Sequence, residues 1–194
     1  MVPASTDSGT KPRPARGFVV FKWCVYALLA LDVLLYARYG RATELLDTAA
    51  WVVLVLLFEW ETGGWRLPVA MRPLLHGARA VAALAVVVAV VGYAFEREWL
   101  DFANETTWLG IVALLELDVR LPRRFGRAHR LRRRASALLY LALGAFLLGW
   151  MIEGVAGGAA DAWLDTWDAA LWLVAFWVIE LKVFGWGARA TRGT

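Results

Sequence analysis

The stretch Ala80-Val-Ala-Ala-Leu-Ala-Val-Val-Val-Ala-Val-Val-Gly-Tyr-Ala-Phe95 holds no charged side chain and decides the fold class. A run of this kind approaches the ~20 residues that an α-helix needs to cross ~30 Å of hydrocarbon. It is not alone. Similar apolar runs lie near 18–37, 48–62, 106–119, 135–152 and 169–186, so the 79–95 run is the third of six. The whole chain of 194 residues is 60% hydrophobic and 20% charged, well above the roughly 45–50% apolar content of a soluble domain. The expected fold is an all-α integral membrane protein with six transmembrane helices. Little chain remains for a soluble catalytic domain.

The connecting segments set the expected orientation. The loop after the second run holds Arg66, Arg72 and Arg79, and the loop after the fourth holds Arg120, Arg123, Arg124, Arg127, Arg130, Arg132, Arg133 and Arg134, neither with an acid. Basic loops stay in the cytoplasm. The opposite loops carry Glu96, Glu98, Asp101 and Glu105, then Glu153, Asp161, Asp165 and Asp168, and face outward. Both termini are then cytoplasmic, and the compartment is a bacterial inner (cytoplasmic) membrane. A formal charge of +4 reflects arginines beside apolar runs, where anionic lipid headgroups are the partner and nucleic acid is not. Cys24 is the only cysteine, and His76 and His129 are the only histidines. No disulfide, zinc cluster or cofactor follows from such a set, and any metal is unspecified.

Shifting the sequence by 57 residues lays Asp47-Thr-Ala-Ala-Trp51 on Asn104-Glu-Thr-Thr-Trp108, and a further shift of 64 reaches Asp168-Ala-Ala-Leu-Trp172. Each tryptophan is followed eight positions later by a glutamate: Glu59, Glu116 and Glu180. In the preceding runs Tyr36, Tyr93 and Trp150 fall at a uniform shift of 57. The pattern predicts one two-helix hairpin present three times: 18–66, 67–123, and 124–187 with a basic cytoplasmic lead-in. A disordered basic tail, 1–17, precedes them, and a short tail, 188–194, follows.

Asp47, Asn104 and Asp168 are N-cap residue types, expected to begin the inward-running helices. Trp51, Trp108 and Trp172 then suit an outer aromatic belt, and Trp23, Trp65 and Trp186 an inner one. Trp60 and Trp177 lie deeper, as residues packed between helices or against a partner. The repeated glutamate stands 12 residues past each cap type, about 18 Å along a helix, within the cytoplasmic half of the hydrocarbon. An acid at the helix centre costs roughly 2.5–3.5 kcal/mol on insertion scales, so it is expected to face the bundle interior, a wet cavity or a cation.

Glu59, Glu116 and Glu180 are therefore ion-binding candidates. Asp32 joins them as an acid in the middle of the first run, where the other copies have Ala89 and Phe146. The second position of each copy, Glu61, Asp118 or Lys182, points about 200° away and is placed at the rim. The competing structural reading has these acids paired with Arg66, Arg120, Arg123 or Lys182, locking hairpins together.

Arg124, Arg127, Arg130 and Arg133 superficially resemble the arginine spacing of voltage-sensor domains, but Gly126, His129, Arg132 and Arg134 interrupt it. The segment reads instead as solvated or bound to headgroups. Nucleophile elbows, zinc-binding helices, P-loops and dinucleotide fingerprints are all missing, so an enzyme is not expected. The leading expectation is a small channel or transporter for protons or inorganic cations. The alternative is a non-catalytic scaffold or assembly subunit of a membrane complex. A homo-oligomer or membrane-complex subunit suits either.

Overall fold

A computed structural model describes residues 16–62, 68, 71–120, 126–157 and 160–183, with side chains at 17–61, 68, 71–117, 130–157 and 162–177. The tails 1–15 and 188–194, and Arg66, Arg123, Trp65 and Trp186, lie outside the described residues. Six helices follow in chain order: α1 (Arg16–Tyr39), α2 (Ala42–Thr62), α3 (Arg72–Glu96), α4 (Trp99–Arg120), α5 (Gly126–Gly157) and α6 (Ala160–Val183). Each packs against its neighbours in the chain, and α6 returns to pack against α1, which closes a ring. Among the described residues no helix backbone reaches across the ring to a non-neighbour.

The helices are longer than the apolar runs that announce them, because polar residues with good helix propensity carry them past the apolar boundary. At the start of α2, the backbone N–H of Arg41 donates to Glu44 Oε2 at 2.8 Å, the reciprocal half of a capping box. That start lies well before Asp47. Pro73 sits in the first turn of α3, where its missing N–H costs nothing. At the other end of α3, Arg97 adopts a left-handed conformation, φ 64°, and Glu98 N–H closes the helix on Tyr93 C=O at 3.0 Å.

Three helices are long and apolar enough to cross a membrane: α1 over Gly17–Tyr39, α3 over Arg72–Glu96 and α5 over Arg130–Gly157. Their outward faces are apolar too, with Leu34, Val81, Leu84, Leu138 and Leu141 exposed. A helix that is apolar all round suits lipid. Helices α2, α4 and α6 do not meet that condition among the described residues; in α2 the cause is the acids Glu44, Asp47, Glu59 and Glu61.

Inside the ring the core is continuous. Leu29, Val86 and Leu143 are almost fully buried on α1, α3 and α5. Close approach of α3 to the start of α2 needs Gly92, where a Cβ would stand 2.9 Å from Thr43 Cγ2. Along the axis, the gap left by helices that do not touch across the ring is filled by large aromatic side chains.

Candidate functional site

Tryptophans Trp51, Trp108 and Trp172 are not an interfacial belt. They point inward from α2, α4 and α6, 4–7% exposed, and meet around Phe176. The ring centroids of Trp108 and Phe176 lie 4.4 Å apart, those of Trp51 and Phe176 6.3 Å, and those of Trp51 and Trp172 6.2 Å. The two Trp51 contacts are edge-to-face and the Trp108–Phe176 contact is tilted, and together they lock the rings into one layer. Trp60 and Trp177 are exposed rather than packed between helices.

Above the aromatic layer, on the side of the α1–α2 and α3–α4 connections, the interior turns acidic. Asp47, Asn104 and Asp168 are not helix caps, since α2, α4 and α6 begin at Ala42, Trp99 and Ala160 and these residues lie a turn or more inside. Each projects from the same helix face as its tryptophan four positions on. Asp47 is 6% and Asn104 8% exposed. Asp32 reaches the same layer from α1 and is 0% exposed.

The acids meet acids. Asp32 faces Asp168, and Asp47 and Glu105 line the same cavities together with Asp168. Neither oxygen of Asp32, nor Oδ1 of Asp47 or of Asp168, accepts a hydrogen bond from any described donor. The donors that do reach this layer are neutral. The Trp51 indole N–H donates to Glu105 Oε2 at 2.8 Å, Tyr93 OH to Asp47 Oδ2 at 3.3 Å, and Tyr36 OH to Asp165 Oδ1 at 2.9 Å. Two carboxyl groups in contact repel when both are ionised, so such a pair needs a proton or a cation between them.

Two small cavities open in this layer. One, of about 20 Å³, reaches from Glu44 and Asp101 at the mouth to Asp47, Glu105 and Asp168. The other, of about 10 Å³, runs from the same three inner acids down to the tryptophans and Phe176. No lysine or arginine lines either. Each has room for about one water molecule.

At the mouth, Arg41 is held by several acids at once. Its guanidinium contacts Glu44 at 2.5 Å, Glu98 at 2.5 Å, Asp101 at 3.1 Å and Glu96 at 3.7 Å. Burial works against the Arg41 charge, but Glu44 and Glu98 outweigh it and raise its pKa above the ordinary value. Asp101, in the first turn of α4 and outside the apolar run, is pushed up to about 6, first by burial and against the pull of Arg41.

The glutamates expected to line the interior behave differently from one another. Glu59 is buried but committed: Lys22 Nζ lies 2.5 Å from its Oε1 and Tyr26 OH donates to Oε2 at 3.2 Å. Glu116 is exposed, against the expectation that all three copies face inward. The preceding helix differs between the two copies. Ala83 stands where Tyr26 stands in the first copy, and Arg79, in the place of Lys22, reaches Glu61 Oε2 at 2.7 Å instead. The side chains of Glu180, Asp118, Lys182 and Arg120 lie outside the described residues.

The site that the structure assembles thus shares only Asp32, Asp47, Asn104 and Asp168 with the residues singled out from sequence. Glu44, Asp101, Glu105 and Asp165 were missed. Three of them had a signal, because Glu44, Asp101 and Asp165 each stand three positions, one helical turn, before Asp47, Asn104 and Asp168. Among the described residues no group of three or more His, Cys, Asp or Glu could hold a metal ion. No family model, curated protein or solved structure matches the chain.

Proposed function

We propose that the chain is a small polytopic membrane channel or transporter for protons or inorganic cations, with its negative sites inside the helix ring. One observation carries the reading: Asp47, Glu105 and Asp168 line two water-sized cavities that no base lines, and the fully buried Asp32 faces Asp168 behind them. Intramembrane acids oppose insertion, and those without a base beside them are candidates for an ion or proton path. The negative site in this proposal lies at those four residues, not at Glu59, whose charge is neutralised by Lys22.

The finer architecture belongs to the same proposal. Six spans follow if α2, α4 and α6 cross beside the three apolar helices, their acids turned toward the ring interior. What supports the threefold hairpin is burial at equivalent positions: Leu29, Val86 and Leu143 are 1–2% exposed, and Trp51, Trp108 and Trp172 are 4–7% exposed. On this reading the acidic mouth faces outward, both termini and the arginine-rich segment before α5 face the cytoplasm and anionic headgroups, and the membrane is a bacterial inner membrane. Association into an oligomer would cover exposed Trp60 and Trp177.

The deciding experiment is flux from the purified chain in liposomes. Proton or cation flux that falls in Asp32→Asn while the variant keeps its fold is the expected result. A pure wild-type chain that passes no ion, and purifies in fixed ratio with other membrane proteins, would instead make it an assembly subunit.

A further inference from the structure

We infer that the species handled is the proton, taken from the outer mouth onto the Asp47–Glu105 pair and passed through ordered water to Asp168 and Asp32, with the tryptophan–Phe176 layer as the barrier beneath. This rests on the transport reading above and narrows it to one substrate and one entry route.

Size and ligand count separate a proton from a metal cation here. A desolvated hard cation asks for six or more oxygens in a shell of its own. The carboxyl groups come instead in twos, no set of three meets at metal-ligand geometry among the described residues, and each cavity has the volume of about one water. A proton needs a single carboxylate oxygen, or two that share it, and a water to leave by. Asp47 supplies the decisive atom. Its side chain is buried and lines both cavities, and its Oδ1 accepts no hydrogen bond from a described donor.

The surroundings are consistent from every side. Helix α1 brings Asp32 and Tyr36, α2 brings Glu44 and Asp47, and α3 brings Tyr93. Helix α4 brings Asp101 and Glu105, α6 brings Asp165 and Asp168, and α5 adds Trp150, which does not ionise. Arg41 neutralises the mouth acids and stops short of the inner four. The transfer balances without any further reactant. A hydronium at the mouth gives one proton to a carboxylate oxygen of the first pair and remains as water. That carboxylic acid releases the proton to the water of the inner cavity, which hands it to a carboxylate oxygen of Asp168, the neighbour of Asp32, and is left unchanged. One O–H bond breaks as each new one forms, and no electrons are exchanged.

The test uses the full-length chain in liposomes with a pH-sensitive dye trapped inside, and infrared spectra of the same samples. The wild type should carry protons down a pH gradient and show a protonated-carboxyl C=O band that shifts in D₂O. Asp47→Asn/Asp168→Asn should lose the flux and most of that band while retaining its near-ultraviolet circular dichroism, and Glu61→Gln, at an exposed ion pair, should keep both. Wild-type spectra without a protonated-carboxyl band would overturn the inference whether or not the double variant folds. Flux of Na⁺ or K⁺ without protons, or undiminished proton flux in a folded double variant, would also overturn it and leave the broader transport reading standing. No flux of any ion from the wild type, with the band present, would bring down transport itself and with it the route proposed here.

Discussion

Asp47 and Glu59 lie on one helix, about three turns apart, both buried, and their surroundings are opposite. Glu59 has a lysine and a tyrosine donating to its two oxygens. Asp47 has a tyrosine on one oxygen, nothing on the other, and a second carboxyl group beside it. A buried acid with its own base is a fixed charge pair, whose value lies in holding two helices in register. A buried acid facing another acid has no such fixed counter-charge, and the two repel when both are ionised. On the proposed function, the lower half of the ring is a permanent lock and the upper half an exchange site.

The largest expected contrast comes from removing one member of each arrangement. Lys22→Met leaves Glu59 buried without its cation, which should cost roughly 3–5 kcal/mol and appear as a large fall in melting temperature in detergent. Asp32→Asn removes a charge that faces another acid and should leave the melting temperature unchanged or raised. Equal falls in the two variants would erase the distinction between the halves. A second, smaller effect is expected at their boundary. Trp51→Phe keeps an aromatic ring in the layer and deletes the N–H that Glu105 accepts, a loss of about 1–3 kcal/mol for a buried acceptor left without its donor. Trp23→Phe, at a half-exposed ring, should show no comparable loss.

How much of this could be read from the chain differs between the two halves. Helicity, the ring's apolar helices and the special positions of Asp32, Asp47 and Asp168 were legible, because hydropathy and internal shifts of 57 and 64 residues report them directly. The role of Asp47 was not. An N-cap type at the edge of an apolar run looks like a helix start, and only the capping contact of Glu44 with the Arg41 N–H moves that start a turn earlier and turns Asp47 inward. Likewise the glutamates of the repeat look equivalent in one dimension. Whether each is covered depends on Tyr26 in one hairpin and Ala83 in the next, which belong to a neighbouring helix.

The mouth offers a finer test. Because burial raises Asp101 from 3.8 to about 6, the folded chain holds that proton more firmly than the unfolded chain does. The stability this supplies is fully present below about pH 4 and is lost as the pH rises to about 6. Unfolding followed across that window should show the decline, and Asp101→Asn should flatten it. A slope of the opposite sign would mean that Arg41, and not burial beside Glu44 and Glu98, governs the mouth. The smallest effect expected lies outside both halves. Arg97 holds a left-handed backbone at the end of α3, so Arg97→Gly should stabilise by about 1 kcal/mol without altering flux.

The closure of α6 on α1 has a consequence for how the molecule is made. The ring's first and last helices meet across the longest interval of sequence, so this seam forms after every other contact has become available. Within the ring, Asp32 belongs to the first helix made, and Asp168, which it faces, belongs to the last. During synthesis, then, the first helix presents a lone carboxyl group along an otherwise apolar surface and waits for the remainder of the chain. Whatever receives the nascent ring must tolerate that acid until Asp168 arrives to face it.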